Sequence, residues 1–137
     1  MSRYTGPKGT YWKHFAKAIR ERDLHKYGTC ISCGSKLVEG KFDAGHYVPA
    51  SNCGFALLFD PKNVHGECKG CNGFDEFHLV GYRKGLLERY GQEFVEDLEK
   101  RRDDARFKGI ITKQWTPKQF KEESKKMREN GQELVAL

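Results

Sequence analysis

Apolar residues recur at helical spacing in several stretches of the chain and lose that period between them. In the first, residues 8 to about 27, Tyr11, Phe15, Ala18 and Ile19 share one face, which Leu24 extends. Lys13, Lys17, Arg20 and Arg22 fall on the other faces, the pattern of an amphipathic helix. Gly28 stands where such a helix would be capped. From residue 29 to 48 the period gives way to Gly, Cys and short β-prone runs, Lys36-Leu37-Val38 and then residues 42–48, which predicts a hairpin. Pro49, Asn52, Gly54 and Pro61 mark residues 49–62 as a loop. Its middle, Phe55-Ala56-Leu57-Leu58-Phe59, is too apolar to remain in water and is expected to pack back on the core.

The helical period returns after Cys71. Phe74, Phe77, Leu79 or Val80, Leu86 and Leu87 share a face up to Tyr90-Gly91, and Phe94, Val95 and Leu98 form the buried side of a following helix. Residues 108–114 are ambiguous, a short strand being one reading. Thr116-Pro117-Lys118-Gln119 opens a last helix, with Thr as N-cap, Pro in the first turn and Gln three residues on. That helix, to about residue 130, carries only Phe120 and Met127 as clear apolar anchors, so it is expected to be mobile or to meet a partner. The 137 residues suit one domain and are too few for two ordinary enzyme domains.

Charge adds a direction. The chain holds 25 Lys and Arg against 19 Asp and Glu, a net charge of +6. Residues 1–30 carry seven basic and two acidic side chains, whereas the remainder is close to balanced. Such a positive arm points to a polyanion, most simply nucleic acid, although a solvated helical face explains it equally well. No run of 18 apolar residues exists, and Met1-Ser2-Arg3-Tyr4-Thr5-Gly6 lacks the apolar core of a secretory signal. A cytoplasmic protein is expected.

Five cysteines, an odd number, argue against a disulfide framework. Four form matched pairs, Cys30-Ile31-Ser32-Cys33 and Cys68-Lys69-Gly70-Cys71, the arrangement that a structural Zn(II) requires. Free buried thiols or a redox pair are the alternatives. Cys53 reads as a plain buried thiol. The 34 residues between Cys33 and Cys68 are more than a small finger needs, so the insert is expected to carry function.

Within and beside that insert lie Phe42-Asp43-Ala44-Gly45-His46-Tyr47-Val48-Pro49, Asn63-Val64-His65-Gly66-Glu67-Cys68 and Cys71-Asn72. His46, Asn63 and Asn72 so placed, with Pro49 three residues after the His, resemble the HNH or ββα-metal nuclease motif. The zinc-stapled form is similar to that of the phage junction-cutting endonuclease VII, where an Asn likewise follows the last Cys. Asp43-Ala44-Gly45-His46-Tyr47, Asn63-Val64-His65-Gly66-Glu67-Cys68, Cys71-Asn72 and Gly91-Gln92-Glu93 look like the lambdoid-phage NinG (Rap) recombination proteins. That resemblance implies an α+β fold, a small zinc-stabilised ββα-metal core with flanking helices. Residues 1–28 would be a basic helix, 29–91 the nuclease core and 92–137 a helical extension. It also implies a DNA endonuclease acting on D-loops and Holliday junctions.

The chemistry can be argued on its own. Phosphodiester hydrolysis needs an activated water and positive charge on the crowded phosphate. A neutral imidazole is the natural base, and Mg(II) or Mn(II) the natural counter-charge. His46 is the expected base, Asn63 orients its loop, and Asn72 is an oxygen ligand to the metal. Many HNH enzymes carry Asp or His immediately before the base; here that position is Gly45, so Asp43 and His65 are the candidate substitutes. His65 could instead support or ligate the zinc, and His78 could cap or pack. His14 and His25 suit phosphate contact or solvation. Phosphate contacts are expected from Arg3, Lys8, Lys13, Lys17, Arg20, Arg83 and Lys84. Tyr11 and Trp12 could stack on unpaired bases but suit the core better, and Lys100-Arg101-Arg102 is answered by Asp103-Asp104. A homodimer through the last helix would match paired cuts. The rival readings are an HNH enzyme acting on ordinary duplex DNA and a zinc-bearing DNA-binding module without catalysis.

Overall fold

The computed structural model describes residues 4–49, 55–73, 78–108 and 114–137. Its elements run α1 (Gly6–Lys26), β1 (Phe42–His46), α2 (Phe55–Leu58), β2 (Val64–Cys68), α3 (Lys69–Gly73), α4 (His78–Tyr90), α5 (Gln92–Phe107) and α6 (Pro117–Leu134). This is a mixed α+β chain with one two-stranded antiparallel sheet. None of the described helices is long and apolar enough to cross a membrane.

β1 does not pair with residues 36–38. It pairs with β2, in the register Asp43↔Glu67, Gly45↔His65 and His46↔Val64. Residues 36–38 instead close the first cysteine turn: Thr29 and Lys36 form an isolated bridge, and the Leu37 N–H donates to the Gly28 carbonyl. Leu37 then turns inward beside Phe42, Cys30 and Cys71. The expected hairpin is thus a strand pair closed by a long connection.

Alternation along the strands gives the sheet two working faces. Ala44 and Val64 enter the apolar cluster built on Tyr11, Phe15 and Ile19 of α1, with Phe59 and Phe120. The opposite face presents His65 and Glu67, both fully buried. α4 lies close to the first cysteine turn because Gly81 and Gly85, one helical turn apart, face it: a Cβ at either would overlap the carbonyl oxygens of Ser32 and Ile31.

Arg22, expected on a solvated face of α1, is buried. Its guanidinium bonds Asp23, the carbonyls of Val64 and Pro61, and the carbonyl of Val135 at the far end of the chain. Asp23 in turn accepts the Gly66 N–H at 2.7 Å. One buried ion pair therefore ties α1 to β2 and to the end of α6.

α6 is less isolated than its sparse apolar pattern suggests. Its capping box is formed, with Gln119 N–H to Thr116 Oγ1 and Thr116 N–H to Gln119 Oε1. Phe120, Ser124 and Met127 are buried, and Val135 just beyond is fully so. Phe120, Met127 and Val135 pack in the α1 cluster, so these anchors are taken up within the chain. Phe55-Ala56-Leu57-Leu58 forms one helical turn and packs inward as expected, with Leu57 and Leu58 buried. Phe74, Phe77, Cys53 and most of residues 108–114 lie outside the described residues.

Candidate functional site

The four paired cysteines converge. The sulfurs of Cys30, Cys33, Cys68 and Cys71 all lie within 4.8 Å of one another, and Cys33 Sγ to Cys68 Sγ is 3.8 Å. A tetrahedron with Zn–S bonds of about 2.3 Å has sulfur–sulfur edges of about 3.8 Å, so the cluster could hold an ion such as zinc. The first turn is shaped by hydrogen bonds from Gly34 N–H to the Cys30 carbonyl and from Cys30 N–H to the Ser35 carbonyl. The Cys68 N–H donates to Cys30 Sγ, a contact that favours a thiolate. The Ser35 hydroxyl brings the Cys33 thiol down to about 7, whereas burial pushes Cys30 and Cys71 up. A cation among them supplies what the buried thiols lack to ionise.

Beside this cluster, a cleft of about 310 Å³ runs along the outer edge of β1. Ala16 and Arg20 of α1 form one wall, Asp43, Ala44, Gly45 and His46 form the floor, and Asn72 of α3 closes the side. His46 is half-buried. Its Nε2 lies 2.7 Å from the Leu58 carbonyl, an acceptor only, so Nε2 carries a proton and donates to it. The ring stacks on Trp12 at 5.4 Å and 15° between planes. Trp12 thus packs against the core, as expected, and also stands beside the site. Spacing along α1 could not have shown it, because the contact depends on how α1 crosses the sheet.

Asn63 is fully buried and uses its whole amide on backbone. Oδ1 accepts the Val48 N–H, and Nδ2 donates to the carbonyls of Val48 and Leu57. These bonds fix the segment after His46 and the turn that carries the Leu58 carbonyl. Asn63 acts through other residues and does not reach the cleft. Asn72 is exposed, following Cys71 on the cluster; its Nδ2 donates to Asp43 Oδ2 at 3.3 Å, and Lys69 Nζ bonds Asp43 Oδ1 at 2.8 Å. Asp43 and Asn72 thus stand together, as two oxygen-bearing groups on one side of His46.

His65 is not part of this group. It is completely enclosed, Nε2 accepts from the Tyr90 hydroxyl, and Nδ1 donates to the Tyr82 hydroxyl, which passes its own proton to the Gly45 carbonyl at 2.7 Å. Burial holds its pKa well below the ordinary histidine value, and the Arg22 and Arg89 charges add to that. A neutral ring with both nitrogens committed is a structural prop, which corrects its placement among the metal ligands.

Sequence reasoning assigned no role to Glu67, which sits directly opposite Asp43 in the sheet. It is fully buried; Oε2 accepts from Ser32 Oγ at 2.6 Å and from His78 Nδ1 at 2.9 Å, while Oε1 has no partner among the described residues. Burial pushes its carboxyl above the usual glutamate range, against the pull of the Ser32 and His78 bonds. A Cβ on Gly45 would overlap Glu67 Oε1 and come within 2.7 Å of Asn72 Oδ1. The missing side chain at position 45 and the carboxylate two strand positions away were both visible in the sequence; their overlap required the register.

The basic residues divide. Lys13 and Arg20 form no ion pair among the described residues, and Arg20 reaches the cleft. Lys8 donates to Gln114 and Lys17 pairs loosely with Glu21 at 3.9 Å. Lys84 borders the first cysteine turn. Arg83 is taken up by Glu99 through two bonds of 3.0 and 3.1 Å, and the Tyr47 hydroxyl joins the same carboxylate, so Arg83 is withdrawn from the phosphate contacts. Lys100, Arg101 and Arg102 are neutralised by Asp104, Asp60 and Asp103. Arg3 lies outside the described residues.

Fold and site together define a small α+β protein in which a four-cysteine cluster fit for a metal ion adjoins a polar cleft. The family described as Bacteriophage Lambda NinG protein matches residues 8–134, and the chain belongs to that family. Protein ninG of Escherichia phage 933W is 43% identical over 81 residues, which are 59% of this chain and 38% of that protein. Protein ninG of Escherichia phage lambda and of Salmonella phage P22 are each 42% identical over 81 residues, with the same coverage. The matched stretch is thus well under half the length of these curated relatives. No solved structure matches the chain.

Proposed function

We propose that this protein is a metal-dependent endonuclease of the ββα-metal type that cuts branched DNA intermediates of recombination. The observation that carries the reading is His46: its Nε2–H donates to the Leu58 carbonyl, and it shares an open cleft with Asp43, Asn72 and Arg20 beside a cysteine cluster suited to zinc. The order β1, β2, α3, with Asn72 directly after the last cysteine, supports the same class.

In this reading His46 Nδ1 takes the proton of the attacking water, and Trp12 keeps the ring in the required plane. The Arg20 guanidinium binds a phosphate oxygen at the cleft wall, and Lys13 holds a neighbouring phosphate. Asn63 keeps the His46 loop and the Leu58 carbonyl at fixed separation. Asp43 and Asn72 offer carboxylate and carboxamide oxygens, the donor type a hard divalent cation takes. Bound there, Mg(II) or Mn(II) would supply positive charge at the scissile phosphate and the departing 3′ oxygen. Zinc on the four cysteines would have a structural task only, since all four ligand positions are filled by protein.

The test is cleavage of a synthetic four-way junction beside linear duplex of the same sequence, by zinc-loaded protein in Mg(II). Preferential cutting of the junction is expected. Equal cutting of both substrates would favour an ordinary duplex endonuclease, and cutting of neither would contradict the enzymatic reading.

A further inference from the structure

The carboxylate of Glu67 presents an imbalance that the fold does not resolve. One oxygen is held by Ser32 and His78; the other is buried with no partner among the described residues. An unpaired buried carboxylate oxygen is costly unless a donor or cation completes it. Oε1 lies over the backbone of Gly45, in the volume that a side chain there would fill, and Asn72 Oδ1 approaches the same point from α3. Asp43, which bonds Asn72, lies directly across the sheet from Glu67. Oxygens from β2 and α3 therefore meet over Gly45 of β1, with Asp43 bonded to one of the two groups that carry them.

We propose that Glu67 is a ligand to the divalent cation of this cleft, delivering from β2 the carboxylate that the position before His46 lacks. The inference rests on the nuclease reading above and deepens it. Gly45 then has a reason to be glycine: the space its side chain would take is filled from the neighbouring strand. Ser32 and His78 orient the ligand through its other oxygen, the role that groups behind a metal ligand commonly have. Ser32 belongs to the first cysteine turn, so zinc order and cleft geometry are mechanically linked. The competing arrangement is a neutral Glu67 whose acid proton bonds Asn72 Oδ1, with no cation involved.

Mn(II) titrated into zinc-loaded protein without DNA, followed by loss of the free-ion EPR signal, separates the two. One Mn(II) per chain beyond the zinc is expected, with affinity falling about tenfold or more in Glu67→Gln at unchanged zinc content. The double variant Gly45→Asp/Glu67→Ala, which moves the carboxylate to β1, should recover most of that loss. In the wild-type chain, substoichiometric Mn(II) should broaden the Glu67 carboxyl carbon resonance in NMR, a readout that needs no variant to fold. Undiminished Mn(II) binding in Glu67→Gln, an unbroadened Glu67 resonance, or no Mn(II) binding by the wild type would overturn the assignment. Junction cleavage is scored separately: a chain that binds Mn(II) through Glu67 but leaves junctions intact refutes the nuclease reading alone.

Discussion

Asn63 and Gly45 each show how much a single position near His46 constrains. The Asn63 amide satisfies one N–H and two carbonyls that are buried with it. Asn63→Ala strands them, at about 1–3 kcal/mol for the Val48 N–H alone, so thermal melting should fall by several degrees. Cleavage should drop further than the lost stability explains, because the Leu58 carbonyl that orients His46 loses its neighbouring support. His46, Asn63 and Asn72 were singled out by their resemblance to the HNH motif; His46 and Asn72 line one cleft, while Asn63 stands behind the segment after His46. Glu67 was not, although it sat inside the quoted motif. Its relevance arises from a diagonal contact across β1 and β2 that only the register Asp43↔Glu67 creates. His65 misled for the same reason: a histidine three residues before a cysteine pair resembles a ligand until two tyrosines from α4 are found on its ring nitrogens.

Among elements, α1 and α4 hold the sheet from its two faces by different means. α1 does so with apolar side chains and with the buried Arg22–Asp23 pair. Arg22→Ala leaves Asp23 buried without its partner and frees three carbonyls, so a loss of about 3–5 kcal/mol in denaturant unfolding is expected. Nothing in the local pattern distinguished Arg22 from the exposed Lys17 or the half-buried Arg20, because its burial depends on the end of α6 reaching back to α1. α4 relies instead on hydrogen bonds from Tyr82 and Tyr90 to the sheet and on close approach to the cysteine turn. Gly81→Ala should push it off the Ser32 carbonyl and cost about 1–3 kcal/mol, whereas Gly70→Ala, with open space around it, should be nearly neutral in the same melt. The long helices α1, α4, α5 and α6 were readable from their periodicity, with the Thr116 capping box in full, whereas the short α2 and α3 were not. The strand partner was not, since residues 36–38 and 64–68 are equally β-prone and the choice is made by the cysteine turn that the former must close.

At the scale of the whole molecule, the cysteine cluster and the basic face of α1 make separate demands. Removing zinc with a strong chelator should abolish the order of the segment between the cysteine pairs and lower the melting temperature sharply; an unchanged circular dichroism melt would show that the sulfurs cluster without a metal. For DNA binding, Lys13→Ala and Arg20→Ala should each reduce the salt slope of affinity by roughly 0.9, while Arg83→Ala should leave it unchanged because Glu99 already holds that charge. The decisive comparison is His46→Ala against wild type in one experiment, with junction binding and junction cleavage measured on the same zinc-loaded samples in Mg(II). Binding should be preserved and the cleavage rate should fall by about 10²–10⁴. Cleavage that persists at the wild-type rate would mean that this imidazole is no base and that the cleft beside the cysteines does other work.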